Sequence, residues 1–308
     1  MPDIFSAGFS PSHDCAIIIA CDANYLPYAA VPALQLSAIA GRDFDVLIGS
    51  PDAVTLPRSL QVAGIGNVAA RDSDLENALP LDARRSLATY MEVFLARALA
   101  PHYRRILVLD ADVLVERGNP GPLLQADMGG RAVAAVRDNR QWRTPNRRTD
   151  EFRKLGRPAT PYFNAGVVMI DTGEWARQDL SAEAAEFARV HLAGLGRDQA
   201  LMNGMLNGDW AEMSPVWNWQ FTWSSAELTG TVDPCIIHFI GPRKPWLADA
   251  AGIVPDRYRT PYAALPDDVR PANLPDMTRR HVPDATQVTR RLFKQWRGAT
   301  ATLRLLSR

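Results

Sequence analysis

Cysteine is scarce in this chain: Cys15, Cys21 and Cys235 are the only three among 308 residues. They follow no pattern, and two lie in apolar, strand-like runs. Neither a disulfide framework nor a zinc site is implied, and a reducing, cytoplasmic setting fits. Long apolar runs are also missing. No stretch reaches the roughly 18 residues a membrane-crossing helix needs. Residues 1–14 carry an early Asp, no basic n-region and no long apolar run, unlike a signal peptide. Net charge is absent too, with 34 Lys plus Arg against 34 Asp plus Glu. Overall charge therefore proposes no partner, and no nucleic acid is expected. What remains is a soluble or membrane-surface chain, long enough for one large domain or two small ones.

Against these absences, one stretch is dense in signal: Ile106-Leu107-Val108-Leu109-Asp110-Ala111-Asp112-Val113-Leu114-Val115. An apolar, β-branched run of this kind predicts a central parallel strand, buried on both faces, of an α/β sheet. Side chains alternate along a strand, so Asp110 and Asp112 can face the same side. Two ionised carboxylates so close repel each other, and a divalent cation would compensate them. They also sit at a strand's carboxyl end, where ligands bind in open α/β sheets. The plainer alternative is a solvated acidic pair.

The remaining chain fits an α/β order. Residues 16–20 predict a first strand, 28–40 a helix with Pro32 near its start, and 44–48 a second strand, a βαβ unit. Gly64-Ile65-Gly66-Asn67-Val68-Ala69 mimics a dinucleotide fingerprint, but it neither follows the first strand nor opens a long helix, so it reads as a glycine turn before a short strand. Residues 87–99 have helical spacing, 132–136 and 162–171 read as strands, and helices follow over 174–192 and 198–206. Between them, residues 137–157 hold eight Arg or Lys against Asp138, Asp150 and Glu151. That stretch is either a solvated face or a lid over an anionic substrate. Trp217, Trp219 and Trp223 cluster in a loop-like region, as core packing or as stacking surfaces for sugars. A last strand over 233–240 contains His238, with Gly241 and Lys244 just beyond.

From Pro255 onward proline becomes frequent and strand patterns vanish. The expected division is a catalytic domain over 1–250, a Pro-rich extension over 251–284 and a helix over 285–308. In that helix Val288, Leu292, Trp296, Ala299, Leu303 and Leu306 recur on one face. Arg290, Arg291, Lys294, Arg297, Arg304 and Arg308 supply the charge, with no acid after Asp284. A basic amphipathic helix has the composition of an interfacial membrane anchor. It could instead pack its stripe on the domain.

Five short motifs, in order from about Ala16 to Trp246, together resemble glycosyltransferase family 8, which includes glycogenin, galactinol synthase and lipopolysaccharide galactosyl- and glucosyltransferases. They are Asp22-Ala23-Asn24-Tyr25, Asp110-Ala111-Asp112, Tyr162-Phe163-Asn164-Ala165-Gly166, Asp198-Gln199-Ala200-Leu201-Met202-Asn203, and the run from His238 to Trp246. The resemblance implies a GT-A fold with a mainly parallel central sheet, a UDP-sugar donor, Mn²⁺ (Mg²⁺ as the alternative) and retention of anomeric configuration. It implies that Asp110, Asp112 and His238 hold the metal, and that Lys244 and the Gly241 backbone grip the phosphates. Asp22, Asn24 and Tyr25 would take uracil and ribose, and Asn164 and Asp198 the sugar hydroxyls. Gln199, with Asp198 the implied catalytic pair, would lie near the anomeric carbon. The acceptor would be a glycan or glycolipid in cell-surface polysaccharide or lipopolysaccharide synthesis. The basic tail would hold the enzyme on the anionic inner face of the cytoplasmic membrane.

One position departs from the family. Its usual Thr-Tyr-x-Arg reads Thr89-Tyr90-Met91-Glu92 here, so an acid replaces a cation beside a diphosphate sugar. This keeps a second reading alive: a catalytically weak member that binds UDP or a glycan at the membrane. A sugar nucleotidyltransferase is excluded, because the Gly-rich, basic phosphate loop after the first strand is missing.

Overall fold

A computed structural model describes residues 4–6, 8–79, 86–142, 144–195, 198–222, 229–250, 254–276, 284–290, 292–293 and 296. Ten short strands organise it: β1 (Cys15–Ala20), β2 (Asp45–Ser50), β3 (Gly66–Ala69), β4 (Arg105–Asp110), β5 (Val113–Val115), β6 (Val133–Arg137), β7 (Phe163–Asp171), β8 (Ala211–Glu212), β9 (Trp219–Gln220) and β10 (Ile236–His238). Seven of them form one sheet in the order β3-β2-β1-β4-β7-β6-β8. β1 to β4 within it run parallel, β7 is antiparallel to both β4 and β6, and β6 and β8 are parallel. Its central strands β1 and β4 are apolar on both faces. Ile17, Ile19, Leu107 and Leu109 enter one core, while Ile18, Ile106 and Val108 enter the other.

The chain winds outward from β1 to β2 and β3, then returns to place β4 on β1's other side. That reversal is a topological switch point, and the crevice beyond the carboxyl ends of β1 and β4 is where this architecture receives ligands. Ala20 and Asp110 are paired residues at that edge.

The apolar run 106–115 is not one strand. β4 stops at Asp110, residues 111–112 turn, and β5 leaves for a second sheet of order β5-β10-β9. Burial pattern alone does not distinguish one long strand from two joined at a turn between sheets. Pro32 lies inside the helix Leu26–Ser37, and Pro27 holds the first-turn position. The 87–99 segment begins as a 3₁₀ turn, Leu87–Tyr90, before the α-helix Met91–Leu99.

In the basic stretch the short helices Asn139–Trp142 and Asp150–Lys154 form, and several cations have local partners. Arg137 pairs with Glu212 at 2.6 Å, Arg140 with Asp138 at 2.9 Å, and Lys154 donates to Gly194 O at 2.9 Å. Arg153 pairs with Asp150, and Arg157 donates to the Gly204 carbonyl. These charges pin the segment to the domain. Trp219 is fully buried, 5.2 Å from Trp142, and its Nε1 donates to Thr229 Oγ1, so it is a core residue. Trp217 packs partly buried on the same core, and Trp223 lies outside the described residues.

Beyond residue 250, the helix Asp256–Ala263 packs on the domain. Val254, Tyr258, Tyr262, Leu265 and Val269 share one core with β1 and the first helix, and Tyr262 lies 5.0 Å from Trp246. In the tail, residues 285–290 are helical, and Val288, Leu292, Phe293 and Trp296 are exposed. Among the described residues no helix is long and apolar enough to cross a membrane.

The N-terminal approach to β1 is fastened to the sheet by Asp45. Its carboxylate accepts from Ser12 Oγ at 2.6 Å, Ser12 N at 2.8 Å and Tyr103 Oη at 3.0 Å, with His13 Nδ1 at 2.8 Å. Burial pushes the Asp45 carboxyl up, but these donors outweigh it and hold it below the usual carboxylate range. A depressed folded value means the stabilisation is present above the unfolded value and is lost as pH falls through the folded one. Asp45→Ala is therefore expected to cost about 2 kcal/mol at pH 7 in urea melts. The gap from the parent chain should narrow below pH ~4; a gap independent of pH would contradict this account.

Candidate active site

Three elements deliver the chemistry. β4 ends on Asp110, the turn after it carries Asp112, and β10 ends on His238. Antiparallel pairing of β10 with β5 sets His238 opposite Val113, and Phe239 N donates to Asp112 O at 3.0 Å. The register thereby brings residues 126 positions apart to one point. One ligand atom from each of Asp110, Asp112 and His238 lies within 4.8 Å of the others. β7 flanks them, and there glycine is required. A Cβ on Gly166 would come within 2.1 Å of His238 Cε1 and 2.7 Å of Asp110 Oδ2.

The imidazole is oriented from behind. Asn164 Oδ1 accepts from Asn218 Nδ2 at 2.9 Å and Gly166 N at 3.2 Å, so it is an acceptor. His238 Nδ1 stands 3.0 Å from that oxygen and 3.3 Å from Asn218 Oδ1, which places a proton on Nδ1. In the neutral ring Nε2 then turns a lone pair toward Asp112 Oδ1 at 3.1 Å and Asp110 Oδ2 at 3.5 Å. Asp112 Oδ1 is buried without a hydrogen-bond partner. Two carboxylates and an imidazole nitrogen converging on one point need positive charge among them, either a proton on Nε2 or a bound cation. A mixed oxygen and imidazole donor set suits Mn²⁺ better than Ca²⁺, so the residues fit the implied metal.

The charges respond as such a site should. Burial, then the charge of Asp112, pushes Asp110 up to about 6. Burial also acts upward on Asp112, but His238 and Lys244 outweigh it and hold that carboxyl low. Burial lowers His238, yet Asp112 and Asp110 prevail and raise it. Lys244 Nζ contacts Asp112 Oδ2 and donates to Phe239 O at 2.7 Å. Gly241, with φ 85°, adopts the left-handed turn that carries the chain from His238 to Lys244.

These groups line a cleft of about 790 Å³, within the usual range for ligand sites. Asp22, Tyr25, Asn164, Asp198, Gln199, Gly241 and Lys244 all reach its wall. Asn24 does not: it is exposed, and its backbone N–H donates to Asp22 Oδ1 at 3.0 Å. Glu92 is buried behind the wall, 3% exposed. Burial foremost, then Asp198 and Asp110, pushes its carboxyl well above the usual range.

Sequence reasoning missed four contributors. Glu151 and Tyr162 line the cleft, the former from within the stretch read as basic. Asn218 orients His238, and nothing in the sequence marks it, because its partners meet only in the fold. Asp138, which accepts from Gln199 Nε2 at 2.7 Å, did carry a signal: it directly follows β6, which runs parallel to β4.

Known proteins resemble this chain in sequence and in fold. The lipopolysaccharide 1,2-glucosyltransferase of Escherichia coli is 30% identical over 189 residues, covering 57% of this chain and 54% of that protein. The lipopolysaccharide 1,3-galactosyltransferase of Salmonella typhimurium is 25% identical over 188 residues, covering 57% and 54%. General stress protein A of Bacillus subtilis is 27% identical over 171 residues, covering 50% and 57%. The chain thus spans about half the length of these relatives. Among solved structures, the galactosyltransferase LgtC bound to donor and acceptor sugar analogs superposes with a TM-score of 0.63 at 23% identity, covering 85% of this chain and 98% of that one. The likeness establishes a GT-A fold. The family model for glycosyl transferase family 8 matches residues 16–250, a span that contains the Asp110, Asp112 and His238 cluster and the whole cleft around it, and the chain belongs to that family.

Proposed function

We propose that this chain is a retaining glycosyltransferase that moves a hexose, galactose or glucose, from a UDP-sugar to a glycan or glycolipid acceptor. The convergence of Asp110, Asp112 and His238 in the cleft of a family 8 chain carries the reading. These three residues would hold Mn²⁺, with Mg²⁺ as the alternative. When bound, the ion supplies Lewis-acid neutralisation of the diphosphate. The chain's own residues do the rest. Lys244 leaves Asp112 to pair with the departing phosphates, a cationic clamp on developing charge. Asp22 and Tyr25 flank uracil and ribose, with Asn24 supporting their turn. Asn164 and Asp198 hold the sugar hydroxyls.

Gln199 faces the anomeric carbon. An amide is a poor nucleophile, so a covalent glycosyl-enzyme of the retaining-glycosidase kind is disfavoured. In same-face transfer, the C1–O bond breaks with its electron pair on the leaving phosphate. The acceptor oxygen bonds to C1 from the same side, and its proton passes to that phosphate. The lipopolysaccharide enzymes among the relatives support an acceptor in cell-surface glycan synthesis. The exposed Val288, Leu292 and Trp296 and the cationic tail support a peripheral place on the inner face of the cytoplasmic membrane. A second reading, a weakly active UDP- or glycan-binding member, draws on buried Glu92.

Three measurements test these assignments. UDP should bind tightly only with Mn²⁺, and Asp112→Ala should remove that enhancement and cut UDP-sugar hydrolysis roughly a hundredfold or more. UDP affinity unchanged by EDTA would overturn the metal site. Next, Glu92→Arg should raise UDP-sugar turnover if the acid only weakens the site, whereas a collapse of activity would give Glu92 a role of its own. Finally, each basic residue near an anionic leaflet contributes about 1 kcal/mol. Cutting after Asp284 should therefore release the protein from anionic liposomes while hydrolysis persists. A truncated chain that still co-sediments, or unfolds, would place the helix in the domain instead.

A further inference from the structure

Gln199 is held at both ends. Its Nε2 donates to Asp138 Oδ2 at 2.7 Å, and its Oε1 accepts from Asn164 Nδ2 at 3.2 Å and Ala165 N at 3.5 Å. A carboxylate only accepts, so the contact with Asp138 fixes which end of the amide is which. The carbonyl oxygen is thereby turned toward Asn164, the residue whose side-chain oxygen orients His238. Asp138 is 5% exposed and stands behind the cleft wall. Its Oδ1 accepts from Arg140 N and Nε, both at 2.9 Å, and Arg140 Nη1 continues to Glu151 Oε1 at 3.3 Å.

The backbone around Asp138 is equally fixed. Asp138 N donates to Tyr162 O at 2.9 Å and Asn139 N to Gln220 Oε1 at 2.8 Å, while Trp142 Nε1 donates to Arg137 O at 2.7 Å. The stretch first read as a solvated face or a lid is thus, at its amino end, a rigid bracket behind Gln199.

We infer that Asp138 is a positioning residue for transfer: through its hydrogen bond to Gln199 Nε2 it locks the amide so that the carbonyl oxygen faces the reacting sugar. The inference rests on the UDP-sugar reading above. A charge-assisted hydrogen bond at Nε2 also polarises the amide and concentrates electron density on Oε1. An electron-rich oxygen stabilises positive charge growing at the anomeric carbon as UDP departs, and no bond to Gln199 need form. With the amide reversed, an N–H would face that carbon and oppose the charge.

Asp138→Asn tests this with little change of shape, since Arg140 keeps Glu151 as a partner. Asparagine at 138 can present either a donor or an acceptor to Gln199, so the lock is released. The kcat for hydrolysis of UDP-galactose or UDP-glucose should fall about ten- to hundredfold, the range seen when a supporting partner of an active-site group is removed. KM and Mn²⁺-dependent UDP affinity should stay as in the parent. In a Gln199→Ala background, Asp138→Asn should have no further effect. A direct readout needs no turnover: the Gln199 side-chain amide resonance, identified by its absence in Gln199→Ala, should shift upfield in Asp138→Asn. An unmoved resonance, an unchanged kcat, or an undiminished effect in the Gln199→Ala background overturns the inference. If the parent hydrolyses neither sugar nucleotide, the functional reading fails, and the resonance alone then decides whether Asp138 holds the amide.

Discussion

Two carboxylates cannot share one corner of a cleft uncompensated. At about 4 Å and an effective dielectric of about 20, like unit charges repel by about 4 kcal/mol. Asp110 and Asp112 stand under that constraint, and the surrounding architecture answers it. His238 and Lys244 converge on Asp112, and Gly166 gives up its side chain so the imidazole can approach. Asn164 and Asn218 hold the imidazole proton on the far side. A divalent ion held by Asp110, Asp112 and His238 would complete the balance.

Much of this was legible before any coordinates. Apolar runs gave β1, β2, β4, β6 and β7 because strands buried on both faces leave an unmistakable composition, as at Ile17-Ile18-Ile19. The convergence of Asp110, Asp112 and His238 was expected from the family resemblance, and only the acidic pair was also marked by its place at a strand's carboxyl end. The break between β4 and β5 was not, since Leu109 and Val113 are equally apolar and equally buried although they belong to different sheets. Asn218 was invisible for a different reason: its role depends on contacts with residues 54 and 20 positions away. The basic stretch misled by composition, because side-chain pairing and short helices decide what its charges do.

Glu92 shows how a departure from family pattern can be absorbed. A third acid close to Asp110 and Asp198 would add repulsion were it fully ionised. Burial answers by favouring its protonated form, which spares the site another negative charge.

The metal trio is closed by the antiparallel pairing of β10 with β5, a contact between segments more than 110 residues apart in the chain. Sequence separation of this size has a consequence during synthesis. A nascent chain emerging from the ribosome would carry both carboxylates, β1 to β7 and their helices well before residue 238 appears. Through that interval Asp110 and Asp112 face each other without imidazole or Lys244. The cluster can therefore close only after residue 238 has been made, and a fragment ending before it lacks the imidazole and Lys244.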